Sequence, residues 1–170
     1  MSLVMVGEPL RTGRRPVLAL PGAIALLAAC GDPPRVAASP DEARLERELF
    51  ERVNADRKAR GLPPLTLDAR LSDVARLHAA DMQKTKVFAH DSPNTGSLDD
   101  RLRSLEYGAA VARENLAESP DAQSAQDGLL KSPGHLANIV ATDVTHLGVG
   151  AIRGGIADPN NVLFVQVFAR

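Results

Sequence analysis

The sequence predicts an α+β fold, a three-layer α-β-α sandwich around a small, mostly antiparallel sheet. Three observations carry that prediction. The C-terminal run NVLFVQVFAR is apolar on both parities, with Leu163, Val165 and Val167 on one and Val162, Phe164 and Phe168 on the other. A strand of that kind needs cover on both faces. A second strand pattern, THLGVGAIR, precedes it, and the GGIADPNN between them carries Gly, Asp-Pro and Asn. That is a hairpin, so the two strands are antiparallel. The helical patterns come earlier in the chain and must supply both covers.

The elements follow in order. Ser39 is an N-cap, Pro40 sits at the first helical position and Glu42 completes a capping box. Leu45, Leu49 and Val53 then recur every four residues, with Phe50 beside them, and this amphipathic helix ends near Gly61. LPPLTLD is a connector. Residues 68–87 form a second helix with Leu71, Val74, Ala75, Ala79 and Met82 on one face. His78 shares that face and reads as a core histidine with one hydrogen bond rather than as a ligand. FAHDSPNTG is a loop that carries His90. Ser97 caps a short third helix with Asp100 at the box position. AAVARENLAES reads as a strand, and a further helix starts near Pro120. SPGHLANIV is a turn followed at once by a short helix, with His135 at the corner. His146 opens the penultimate strand and reads as a surface residue. There is no internal repeat.

Bulk composition narrows the function classes. The 170 residues are 44% hydrophobic and 24% charged, which describes one globular domain plus a tail. Aromatics make up 3% and tryptophan is absent, so the core is built from Leu, Val, Ala and Ile. The formal net charge is −1, with both signs interleaved. No basic stripe with aromatic partners appears, so no nucleic acid is expected as a partner. Cys30 is the single cysteine and excludes an intrachain disulfide.

The first thirty residues read as an address. Arg11, Arg14 and Arg15 precede an apolar run from Val17 to Ala29, interrupted by Pro21 and Gly22. The run is too short for an ordinary membrane span, and with its basic flank it describes an export signal. Its end, LAAC, resembles the lipobox of bacterial lipoproteins. That resemblance implies cleavage before Cys30, lipidation of its thiol and stable anchoring to a membrane by more than one acyl chain. A plain secretory signal with a coincidental cysteine, or an uncleaved anchor, are the alternatives. Arg14-Arg15 leaves general secretory and twin-arginine export both open. Residues 1–29 are therefore read as the signal peptide, 30–38 as the lipidated cysteine and a flexible tether, and 39–170 as the folded domain.

From about Glu42 to Arg170 the chain resembles the CAP superfamily, which comprises cysteine-rich secretory proteins, antigen 5 and pathogenesis-related 1 proteins, and within it the bacterial branch. LFERVNADRKARGLPPLTLDARL is similar to the family's first helix and link, FAHDSP to its first histidine motif, and ENLAES to its GENLA strand. SPGHLANIV is similar to the bacterial SPGHRxNIL corner, and HLGVGA and FVQVFAR to the last two strands. The resemblance implies the same α-β-α sandwich. It also implies a cleft where two histidines and acidic residues meet, which in some members binds a divalent metal such as zinc. Carried over by motif, those positions are His90, Glu114 and His135. The sequence departs from the pattern at three places. Ser132 stands where a second acidic residue is expected, Leu129 where tryptophan is usual, and Arg113 where a glycine precedes the ENL. The family's cysteines are absent.

Two histidines and a carboxylate suit zinc, with one position left for water. A helix N-terminus at His135 would keep that ring neutral, and Asp91 beside His90 would orient a ring. The spacing is long and no HExxH is present, so a second reading stays open: Glu114 pins the sheet to a loop and His135 only caps. The resemblance implies a membrane-anchored binding or interaction module that takes lipid, peptide or cell-envelope ligands. The alternative is a metal-dependent hydrolase of peptide or envelope substrates. The missing carboxylate at Ser132 weakens it, and no GxSxG elbow supports a serine hydrolase. A structural envelope protein with a vestigial cleft is the third reading.

Overall fold

The computed structural model describes residues 36–170. Residues 1–35, which include the segment read as a signal peptide, Cys30 and most of the stretch read as a tether, lie outside the described residues.

The first helix, α1 (Pro40–Ala59), starts as expected. Ser39 Oγ accepts from the Glu42 N–H, and the Glu42 carboxylate accepts from the Ser39 N–H. Leu45, Leu49 and Val53 are buried along one stripe of it. A two-residue strand, β1 (Thr66–Leu67), and α2 (Ala69–Thr85) follow. Asp68 caps α2 by accepting from the Arg70 and Leu71 N–H groups. Next come α3 (Leu98–Ser104), β2 (Ala112–Ser119), α4 (Ala122–Lys131), α5 (Pro133–Ile139), β3 (His146–Arg153) and β4 (Val162–Ala169). The Ser97 and Asp100 capping box is present on α3.

The sheet order is β1-β3-β4-β2, with β4 antiparallel to both neighbours and β1 parallel to β3. The connector LPPLTLD thus contributes a strand that its sequence did not announce, because two residues carry no periodicity. β4 lies inside the sheet and is buried along its whole length. Val162, Phe164 and Phe168 pack with residues of α1, α4 and α5, while Leu163, Val165 and Val167 pack with residues of α2 and α3. These are the two covers that the double parity demanded.

α2 sits unusually close to the sheet. A Cβ at Gly148 would lie 2.1 Å from the Leu71 carbonyl carbon, and one at Gly150 would lie 2.5 Å from that of Ala75. Bare glycine lets the helix backbone rest on β3 and sets how deep the next turn, with His78, is carried. Among the described residues no helix is long and apolar enough to cross a membrane.

Candidate functional site

Glu114 is the centre of the site. It lies on β2, an edge strand, on the parity that faces α2 and α3, and its side chain is 3% exposed. Arg101 comes from α3, is fully buried, and donates from Nη2 to Glu114 Oε2 at 2.7 Å. His90 donates from Nδ1 to Oε1 at 2.9 Å. Both carboxylate oxygens are therefore engaged. Arg101 Nη1 also donates to the carbonyls of His90 at 3.1 Å and Gly96 at 2.8 Å, so it holds the FAHDSPNTG loop as well as the carboxylate. Asp81 of α2 completes the hold by accepting from Asn94 at 2.9 Å and from the Ser92 hydroxyl.

Proton positions follow from the partners. His78 Nε2 faces the Ala89 carbonyl at 2.9 Å, and a carbonyl only accepts, so Nε2 carries the proton. His78 Nδ1 is then a buried lone pair with no hydrogen-bond partner among the described residues. The same Nε2 lies 3.8 Å from Glu114 Oε1. His78 is the core histidine with one hydrogen bond that its place on the helix suggested. In His90 the proton on Nδ1 points to the carboxylate, which leaves Nε2 able to accept. The hydrogen bond to Glu114 raises the His90 pKa above its ordinary value. Burial lowers that of His78.

The predicted trio is brought together in part. His90 and Glu114 touch. His135 stands on α5, half-buried, its ring without a hydrogen bond among the described residues and its carbonyl accepting from Asn115 Nδ2 at 3.2 Å. Its pKa is lowered first by burial and second by the charge of His90, so the two rings are electrostatic neighbours. Burial takes the role that the helix start was expected to play. Asp91 is exposed and acts on His90 through space, while Glu114 orients the ring. Arg113 pairs with Asp143 at 2.7 Å. His146 is half-buried at the start of β3, bonded to the Thr145 hydroxyl at 2.9 Å.

Arg101 is the residue that sequence reading missed. Charged neighbours in LDDRLRS made it look solvated. Its place gave one usable signal, since helical spacing sets it on the same face as Leu98, Leu102 and Leu105. Sequence reading also passed over a buried polar chain. Asn138 donates to Asn115 Oδ1 at 2.8 Å, Asn115 to Gln166 Oε1 at 3.0 Å, Gln166 to Gln126 Oε1 at 3.2 Å and Gln126 to Asp56 at 2.7 Å. It braces the His135 corner against the sheet.

The donor set as folded does not fit a divalent metal. Glu114 is committed to a guanidinium through one oxygen and to the His90 N–H through the other. Among the described residues no group of three His, Cys, Asp or Glu side chains is placed to hold an ion.

A cleft of about 540 Å³ opens beside this constellation. Leu116 to Ser119 of β2 form its floor, and Ala125, Gly128 and Leu129 of α4 form one wall. Ser132, His135, Phe88, Ile156 and Ala157 complete its lining. A Cβ added at Gly128 would meet nothing within 4 Å, so that wall borders open space. Leu129 and Ser132, which replace the family's tryptophan and second acid, thus both line this space.

The profile of the cysteine-rich secretory protein family, CAP, matches residues 50–168. The chain belongs to this family. It is 35% identical over 111 residues to the uncharacterized protein YkwD of Bacillus subtilis, and 37% identical over 109 residues to the uncharacterized membrane protein YlbC of the same organism. These matches cover 65% and 64% of this chain but 43% and 32% of the relatives' own lengths. Among solved structures, an extracellular protein containing an SCP domain from Bacillus anthracis aligns with a TM-score of 0.69 at 33% identity, over 79% of this chain and 45% of that one. An outer surface protein from Borrelia burgdorferi shares the fold with a TM-score of 0.67 at 21% identity, over 79% of this chain and 96% of its own.

Proposed function

We propose that this chain is an exported CAP-domain lipoprotein of the bacterial cell envelope, held at a membrane through Cys30, whose cleft binds an apolar ligand such as a lipid or an apolar peptide segment. The cleft carries the reading. Phe88, Leu116, Ala125, Leu129 and Ile156 give it apolar walls, and His135, Ser132 and Glu118 supply a few polar points. A concave apolar space with sparse polar groups is the usual form of a small-ligand site. The names of the relatives, an extracellular protein, an outer surface protein and a membrane protein, support an envelope location.

The hydrolase reading draws less support. The carboxylate it needs, Glu114, is tied to Arg101, and Ser132 makes no side-chain bond to His135. The test is to fill the cleft. Gly128→Leu places a side chain in open space and removes a glycine from a helix, which favours the fold. Titration with a fluorescent fatty acid should give saturable binding to the wild type and none to Gly128→Leu, with thermal stability kept. No binding by the wild type, or equal binding by both, would overturn the reading.

A further inference from the structure

The domain's entry point and one part of the cleft's lining lie at the same end. The N-terminus of α1 is bonded to the last residue of β3, where Glu42 accepts from the Arg153 N–H at 3.0 Å and Asp41 from the Arg153 Nε at 2.5 Å. The last turns of α2 reach the same spot, with Gln83 Nε2 donating to the Gly154 carbonyl at 2.9 Å. Just beyond Gly154 come Ile156 and Ala157, which line the cleft. Glu118 fixes that loop by accepting from the N–H groups of Ala157 at 2.9 Å and Asp158 at 3.0 Å. Lys86 ends α2 in the left-handed region, at φ 59°, and turns the chain outward into Val87 and Phe88.

These two residues are anomalous. Among the described residues the exposed large apolar side chains are Leu67, Val87 and Phe88, and the last two are adjacent at 47% and 45% exposure. Phe88 also lines the cleft. Lys84 and Lys86 precede the pair on the last turn of α2, both are exposed, and neither makes an ion pair among the described residues. Three acidic groups at this end are already occupied, Asp41 by Arg44 and Arg153, and Glu42 and Glu118 by backbone N–H groups. What remains outward is two adjacent apolar side chains preceded by two exposed lysines, the composition of a segment that seats at a lipid interface.

Chain length says which surface this end meets. Five residues separate Cys30 from Val36, so the tether reaches at most about 20 Å. α1 has 20 residues and is about 30 Å long. With Cys30 at the membrane, the entry end is the near end of the domain.

We propose that the end of the domain carrying Val87 and Phe88 docks onto the membrane that holds the chain, with this pair seated among the lipid headgroups and the cleft that Phe88 lines facing the lipid. This rests on the reading of Cys30 as the anchor. The experiment uses the full-length chain, produced in bacteria and reconstituted into phosphatidylethanolamine–phosphatidylglycerol vesicles. An environment-sensitive dye is placed at Val87→Cys or, as the control on the far end, at Arg60→Cys, and lipids carrying a quencher are added.

The expected result is a blue-shifted emission quenched by lipid at position 87, aqueous emission at position 60, and loss of the shift at 87 when Phe88→Asp is added. If the protein is vesicle-bound, and Cys30→Ser releases it, while position 87 remains aqueous, the docking is refuted and the anchor stands. A protein partner would then be the better occupant for the exposed pair. If the wild type does not hold to vesicles at all, the anchor fails and the docking falls with it.

Discussion

Removing the Arg101 guanidinium while leaving Glu114 in place should come close to unfolding the domain. The two side chains are 0% and 3% exposed, and they meet at 2.7 Å. Taking one partner from a buried ion pair strands the other charge away from water, at about 3–5 kcal/mol. Arg101→Met also frees the His90 and Gly96 carbonyls, which water can reach through the exposed loop, so the pair dominates the loss. A domain of this size has roughly 5–15 kcal/mol in total, so the variant forfeits a large share of it. In urea, with a slope of about 2 kcal/mol per molar, the midpoint should fall by about 2 M.

The double variant Arg101→Met/Glu114→Leu removes both charges and should recover much of the loss. Equilibrium denaturation followed by circular dichroism on all three proteins gives the coupling. A cost below about 1 kcal/mol for Arg101→Met, or a double variant less stable than the single, would refute the assignment of Glu114 as a buried, Arg-neutralised hub.

Four further outcomes are expected. Stability should fall as pH drops below 6.5, the ordinary value of histidine, because the folded pKa of buried His78 lies under it and the unfolded chain takes up the proton more readily. His78→Gln should flatten that slope below pH 6.5, and Glu114→Gln should steepen the fall by removing the raised His90 pKa, whose stabilisation holds at low pH and fades as pH rises. Gly148→Ala should cost about 3 kcal/mol or more, seen as a lowered thermal midpoint, since its Cβ would meet the α2 backbone at 2.1 Å. Arg57→Leu should cost about 3 kcal/mol in urea denaturation, because Arg57 joins α1 to the carbonyls of Ile139 and Ala141, both at 2.8 Å. Calorimetric titration of the wild type with zinc should show no tight site, and tight binding lost in both His90→Ala and His135→Ala would overturn the reading of the donor set.

Much of the architecture was legible in the chain because local rules decide it. The Ser39 and Ser97 boxes fix two helix starts through their own backbone N–H groups. The double apolar parity of residues 162–168 can only be met by cover on both faces, and that alone implies three layers. The CAP resemblance located His90, Glu114 and His135, and the structure does bring the first two into contact. What stayed hidden is what depends on neighbours distant in sequence. β1 exists because β3 offers it a parallel edge at His146 and Leu147. Arg101 is a buried cation because Glu114, from a strand that crosses beneath α3, sits within reach, and nothing in LDDRLRS names that partner.

The sequence by itself thus determined the layers and the caps, which rest on periodicity and short-range hydrogen bonding, and the family, which rests on the resemblance of its motifs. Only the tertiary structure decided the chemistry of the site. A carboxylate holding a metal and a carboxylate neutralised by arginine carry the same letter in the chain. Which of them Glu114 becomes depends on the side chain that burial presses against it.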